Sequence, residues 1–117
     1  MIKRLRLKVN SYNAQDERAG RLYYSEKYNG FNVKPLELSQ VLKMIQKNGL
    51  NCHYCKKNTR IIPNYHKDPV QFTLDRIDNN KTHTISNCIV SCWMCNEGRS
   101  NSYTSCIFEQ MMAGARS

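Results

Sequence analysis

Long apolar runs are missing from this sequence. No window approaches the ~18 consecutive apolar residues that a membrane-spanning helix requires, so no membrane partner is expected. Met1 is followed by alternating basic and apolar residues instead of an apolar stretch, which argues against a secretory leader. Acid is scarce: 9 Asp and Glu face 18 Lys and Arg, a formal net charge of +9. Internal repeats and low-complexity linkers are also absent, and 117 residues suit one domain. A chain this short buries only a modest core and often depends on a staple. The expected compartment is reducing and intracellular (cytoplasm or nucleus). There, paired cysteines are metal ligands before they are disulfides. The charge excess points to a polyanion, nucleic acid and above all DNA. A basic soluble protein with no such partner is the alternative.

Taken in order, residues 1–34 form a basic N-terminal segment, extended or partly ordered. Lys3, Arg4, Arg6 and Lys8 occur there without an acid before Val9, and Leu5, Leu7 and Val9 alternate with the basic residues. Alternation predicts an extended arm or edge strand. Such an arm could track a phosphate backbone, or be an edge strand protected by its charge. Further on, Tyr12, Tyr23, Tyr24, Tyr28 and Phe31 interleave with Arg18, Arg21 and Lys27. That mixture suits base stacking, though tyrosines commonly pack within their own domain. Asn29-Gly30 reads as a turn.

The rest, 35–117, reads as one domain that opens with a helix. Leu38, Val41, Leu42 and Ile45 repeat at helical spacing over 35–48, with Pro35 in the first turn and Gly49 as C-cap. Two prolines make 61–73 a loop with short strand pieces. Phe72 and Leu74 predict a strand entering Asp75, residues 79–84 a turn, and 88–91 a short buried strand. Helical character returns after Cys92, where Ile107, Phe108, Met111 and Met112 could form a second packing face. The final five residues should fray.

Six cysteines are present, four of them in two Cys-x-x-Cys pairs: Cys52 with Cys55, and Cys92 with Cys95. Two such knuckles supply the four thiolates of a tetrahedral structural Zn²⁺ site. The 36 residues between them leave room for a hairpin whose ends the zinc would tie together. Cys88 and Cys106 are then small core residues. His53 and His66 become ligands only if a cysteine is not.

Between the knuckles lie Asp75-Arg76-Ile77-Asp78, His83 and Asn87, and Asn96 follows Cys95. With these residues in place, the chain resembles the HNH (ββα-metal) endonuclease family over about residues 50–100. It looks most like the zinc-containing variant of phages and large DNA viruses. The resemblance implies an α+β fold: a zinc-stapled β-hairpin and helix core, preceded here by a helix and the basic segment. It further implies hydrolysis of DNA phosphodiester bonds with Mg²⁺ or Mn²⁺. On that pattern Asp75 and Asn96 bind the divalent ion and Asn87 supports the site. Arg76 stands where the family commonly has its histidine base.

An arginine stays protonated and is a poor base, but its fork of donors suits a scissile phosphate. His83 is the only histidine between Asp75 and Asn96, and its ordinary pKa suits a general base. His83 is therefore the candidate that replaces the histidine missing at Arg76; a surface turn residue is the alternative. Asp78, beside Asn79 and Asn80, is as suited to shaping a turn as to binding an ion. Lys3, Arg4, Arg6, Lys8, Lys56, Lys57, Lys81 and Arg99 are the expected nucleic-acid contacts. The expected activity is a nickase or double-strand cutter, acting alone or as a homodimer. The alternatives are a zinc-stabilised nucleic-acid-binding protein that has lost catalysis, and a zinc-stapled protein-interaction domain.

Overall fold

A computed structural model describes residues 2–19, 35–62, 68–99 and 103–116. Tyr23, Tyr24, Tyr28, Phe31, Arg21, Lys27, the Asn29-Gly30 turn and His66 lie outside the described residues, as does the Cys106 side chain. The fold is α+β, with a two-stranded antiparallel sheet and four α-helices among the described residues.

The N-terminal stretch is helical, which corrects the expectation of an extended arm. Helix α1 spans Ile2–Arg18. Leu5, Val9, Tyr12 and Asp16, four of its five buried positions, are spaced four, three and four residues apart, a helical period. Leu7, the middle member of the apparent alternation, is 59% exposed, whereas Leu5 is fully buried. Period 3.6 wins because it gathers three apolar side chains, Leu5, Val9 and Tyr12, on one face across about two turns. Burying each contributes about 1.5–3 kcal/mol.

Lys8 is also buried and donates from Nζ to Gln71 Oε1 at 2.7 Å. Burial lowers its pKa to about 8. It therefore leaves the set of expected nucleic-acid contacts, because a side chain packed on Gln71 cannot reach a surface phosphate. Lys3, Arg4 and Arg6 are exposed.

Helix α2, Leu38–Asn48, follows the predicted stripe. Val41 is fully buried, and Leu38, Leu42 and Ile45 pack around it. A capping box joins Glu37 and Gln40, so the helix starts at Leu38 and Pro35 precedes the cap. Gly49 closes it at φ 77°, donating its N–H to Ile45 O at 2.8 Å.

The chain then enters the first cysteine turn and reaches the hairpin. Strand β1, Phe72–Arg76, pairs antiparallel with β2, Cys88–Cys92, placing Phe72 opposite Cys92 and Arg76 opposite Cys88. Both faces of β1 are used. Phe72 and Leu74 join Leu5, Val9, Tyr12, Val41, Cys88 and Val90 in the main core. Thr73 and Asp75 carry hydrogen bonds to α3, Trp93–Arg99. Helix α4, Ser105–Arg116, holds Phe108 in a second cluster with Cys52, Tyr54, Cys92 and Cys95. Met112 packs against that cluster, while Ile107 and Met111 face solvent, so only half of the expected face is buried. The helix continues through Arg116, where fraying was expected. No helix among the described residues is long and apolar enough to cross a membrane.

The α1 assignment has a direct check. Leu5→Ala should lower unfolding free energy by about 2–5 kcal/mol, and Leu7→Ala by less than about 0.5 kcal/mol. Equal effects in urea titrations would return the segment to an extended arm.

Candidate metal and polar site

The four cysteines of the two pairs converge. Their Sγ atoms all lie within 4.8 Å of one another, and Cys55 Sγ is 3.7 Å from Cys92 Sγ. A tetrahedron with Zn–S bonds of ~2.3 Å spaces its sulfurs ~3.8 Å apart, whereas a disulfide would bring two of them to ~2.05 Å. Together they could hold a zinc ion. Local backbone explains the convergence. The Cys52–Lys56 turn closes with Lys56 N–H donating to Cys52 O at 3.0 Å, and Lys56 takes a left-handed φ of 68°. At the second pair, β2 runs straight into α3, and Cys95 N–H points at Cys92 Sγ at 3.5 Å. His53 N–H donates to Val90 O at 2.8 Å and docks the first turn on β2.

The sulfurs differ in acidity. Burial opposes ionisation of Cys52, but N–H donors from Cys55, Cys92 and Tyr54 outweigh it and bring the thiol down to about 7. Burial pushes Cys92 up to about 11, and burial together with neighbouring sulfurs pushes Cys95 up further. Crowded thiolates repel, so a divalent cation is the natural compensation. Cys88 sits in the main core, pushed up to about 12 by burial, as expected of a packing residue. His53 is not a ligand; its Nε2 lies 3.2 Å from Glu109 Oε2.

A second site adjoins this one. Tyr54, between Cys52 and Cys55, is fully buried, and its hydroxyl donates to Asp75 Oδ2 at 2.8 Å. Arg99 Nη1 donates to Asp75 Oδ1 at 2.7 Å. Arg99 also holds Asn79 Oδ1 and Ile77 O, and its Nε is buried without a hydrogen-bond partner among the described residues. At 1% exposure Arg99 is no surface phosphate contact, which corrects its expected role. Its charge is spent on Asp75, itself 3% exposed. Burial pushes the Asp75 carboxyl above its ordinary value, against the pull of Tyr54 and Arg99.

Asp75, Arg76, His83, Asn96 and Arg99 line one cavity of about 200 Å³, with Tyr12, Gln15, Leu74, Asn79 and Glu97 completing its wall. Asn96 lies three residues from Arg99 on α3, on the same helix face, as Thr73 and Asp75 share a strand face. Thr73 gives its hydroxyl proton to Ser91 O at 2.8 Å, so Asn96 Nδ2 must donate to Thr73 Oγ1, at 3.1 Å. That fixes the amide and leaves Asn96 Oδ1 without a hydrogen bond among the described residues.

Arg76 pins the turn instead, donating from Nη1 to Asn79 O and Lys81 O. Asn87 is not on the cavity wall. Its amide accepts from Asp78 N–H at 2.9 Å and donates to Asp78 O and Thr82 O, clamping the loop just before His83. Asp78 accepts from Asn80 N–H at 2.9 Å, a turn-shaping bond. Lys56, Lys57 and Lys81 are exposed.

His83 is buried. Its Nδ1 is 2.9 Å from Asp16 Oδ1, its backbone N–H donates to Asp16 Oδ2 at 2.8 Å, and its ring stacks on Tyr12 with centroids 4.8 Å apart. Sequence reasoning missed Asp16 and Tyr54. The first had a signal, an acid in register with Leu5, Val9 and Tyr12. The second had none, since the spacer of a cysteine pair is ordinarily solvent-facing. No family model, curated protein or solved structure matches the chain.

Two predictions follow from this geometry. The purified chain should carry one zinc ion, retained by Cys88→Ser and lost in Cys95→Ser, and removal should unfold the cysteine cluster at a cost on the order of 10 kcal/mol. Metal analysis with circular dichroism decides this; a folded, zinc-free wild type would refute it. Arg99→Ala should cost about 3–5 kcal/mol, because it strands a buried carboxylate, against less than about 0.5 kcal/mol for Lys57→Ala. Equal losses would restore Arg99 to the surface.

Proposed function

We propose that the protein is a metal-dependent endonuclease that hydrolyses DNA phosphodiester bonds at the cavity bounded by Asp75, His83 and Asn96. One observation carries the reading: an aspartate, a histidine and an asparagine, from three separate segments, line the same small cavity. A module that only bound DNA would have no use for that combination beneath its surface. The succession β1, β2, α3, with Asp75 on the strand and Asn96 on the helix, agrees with the HNH arrangement that the sequence resembles.

A divalent ion fits the donor set. Asp75 keeps lone pairs beyond its two hydrogen bonds, Asn96 Oδ1 is a hard oxygen, and water and phosphate would complete the coordination. When bound there, Mg²⁺ or Mn²⁺ would offset the charge that builds on the phosphate and the leaving oxygen. The protein's own residues do the rest. His83 accepts one proton of a water molecule, and the water oxygen forms a new bond to phosphorus. The bond from phosphorus to the leaving sugar oxygen breaks with its electron pair, and that oxygen takes a proton from solvent. Arg76 fixes the turn that carries the cavity rim and is not the base. Exposed Lys3, Arg4, Arg6, Lys56, Lys57 and Lys81 supply attraction to the backbone.

A second reading, a zinc-stabilised nucleic-acid-binding protein without catalysis, draws support from the buried Arg99–Asp75 pair, which neutralises the would-be ion ligand.

Supercoiled plasmid with Mg²⁺ or Mn²⁺ separates the two. Wild type should nick it, and His83→Ala, checked for folding, should be slower by about 10²–10⁴-fold. Binding without cutting under every divalent ion would establish the second reading. Affinity should also fall steeply with salt; a flat dependence would remove the phosphate contacts.

A further inference from the structure

Helix α1 contributes more than packing. Tyr12 and Asp16, one turn apart on its buried face, both hold His83. Tyr12 covers a face of the ring, while the Asp16 carboxylate takes the backbone N–H with one oxygen and meets Nδ1 with the other. A carboxylate only accepts, so the contact at Nδ1 requires a proton there. In the neutral ring the lone pair then sits on Nε2, which makes no hydrogen bond among the described residues, and His83 is one of the residues that line the cavity.

We propose that Asp16 is a positioning residue that locks His83 in the Nδ1–H tautomer, so that Nε2 faces the cavity as a proton acceptor. This inference rests on the nuclease reading for its chemistry and on the α1 geometry for its structure. It assigns a role to a residue outside the cysteine-framed hairpin, and it makes the N-terminal helix part of the site. A histidine oriented through its other nitrogen is a recurrent means of setting which nitrogen acts.

Asp16→Asn is the informative variant. The His83 backbone N–H can only donate, so it must take the amide oxygen of the new side chain. The amide NH₂ is thereby turned toward Nδ1, which must then accept. The ring is forced into the Nε2–H form, which cannot take a proton from water. The full-length, zinc-loaded chain, labelled with ¹⁵N in histidine, reports which ring nitrogen carries the proton.

The expected results are an Nδ1–H ring in wild type, an Nε2–H ring in Asp16→Asn with the fold retained, and nicking slowed by about 10²–10⁴-fold. An Nε2–H ring in wild type, or an unchanged ring in the variant, would overturn the proposal. So would a switched ring with undiminished nicking. If Asp16→Asn fails to fold, the wild-type spectrum decides alone. Should wild type not cut DNA at all, the nuclease reading fails while the ring signals still decide whether Asp16 sets the tautomer.

Discussion

The buried carboxylate of Asp75 is the constraint on which the rest of the structure turns. Three elements meet at it: the first cysteine turn through Tyr54, strand β1 through its own backbone, and α3 through Arg99. Burying a charge is costly unless it is paired and hydrogen-bonded. Here one oxygen takes a phenol and the other a guanidinium, so neither is left bare. The cysteine cluster and the polar cavity are thereby parts of one assembly. Whatever fixes the four sulfurs also fixes Tyr54, and Tyr54 fixes the acid.

The same logic explains why so small a chain can keep a polar cavity. Its wall would collapse or admit disorder if each group depended on packing alone. Instead, Thr73 orients Asn96, Asn87 clamps the loop before His83, Arg76 closes the turn at Asn79, and Asp16 holds His83. Asn96 and His83 are each set by another side chain, and Asn87 and Arg76 hold backbone carbonyls of the turn. Such supporting bonds restrict rotamers and pre-organise a site.

Much of this was legible in the sequence. The paired cysteines have a spacing that chemistry dictates, the α2 stripe has an unambiguous period, and the strand entering Asp75 is short but clearly bounded. The failures share a cause. The alternation of Leu5, Leu7 and Val9 is only five residues long, too brief to separate period 2 from period 3.6; the registration of Tyr12 and Asp16 settles it. Arg99 looked like surface charge because its partner lies 24 positions away, beyond the reach of any local pattern. Lys8 misled in the same way, through Gln71. Burial of a charge is a tertiary fact, and in a chain this basic nothing local marks which few charges turn inward.

The central claim is that one cavity, and not the basic surface at large, receives the scissile phosphate and its ion. A crystal structure of the chain with Mn²⁺ and a DNA duplex carrying an uncleavable phosphorothioate tests this most directly. Anomalous scattering should place manganese between Asp75 and Asn96, with the phosphorothioate beside it and His83 Nε2 facing the phosphorus. Manganese absent from that cavity, with the DNA backbone lying elsewhere on the protein, would contradict the account.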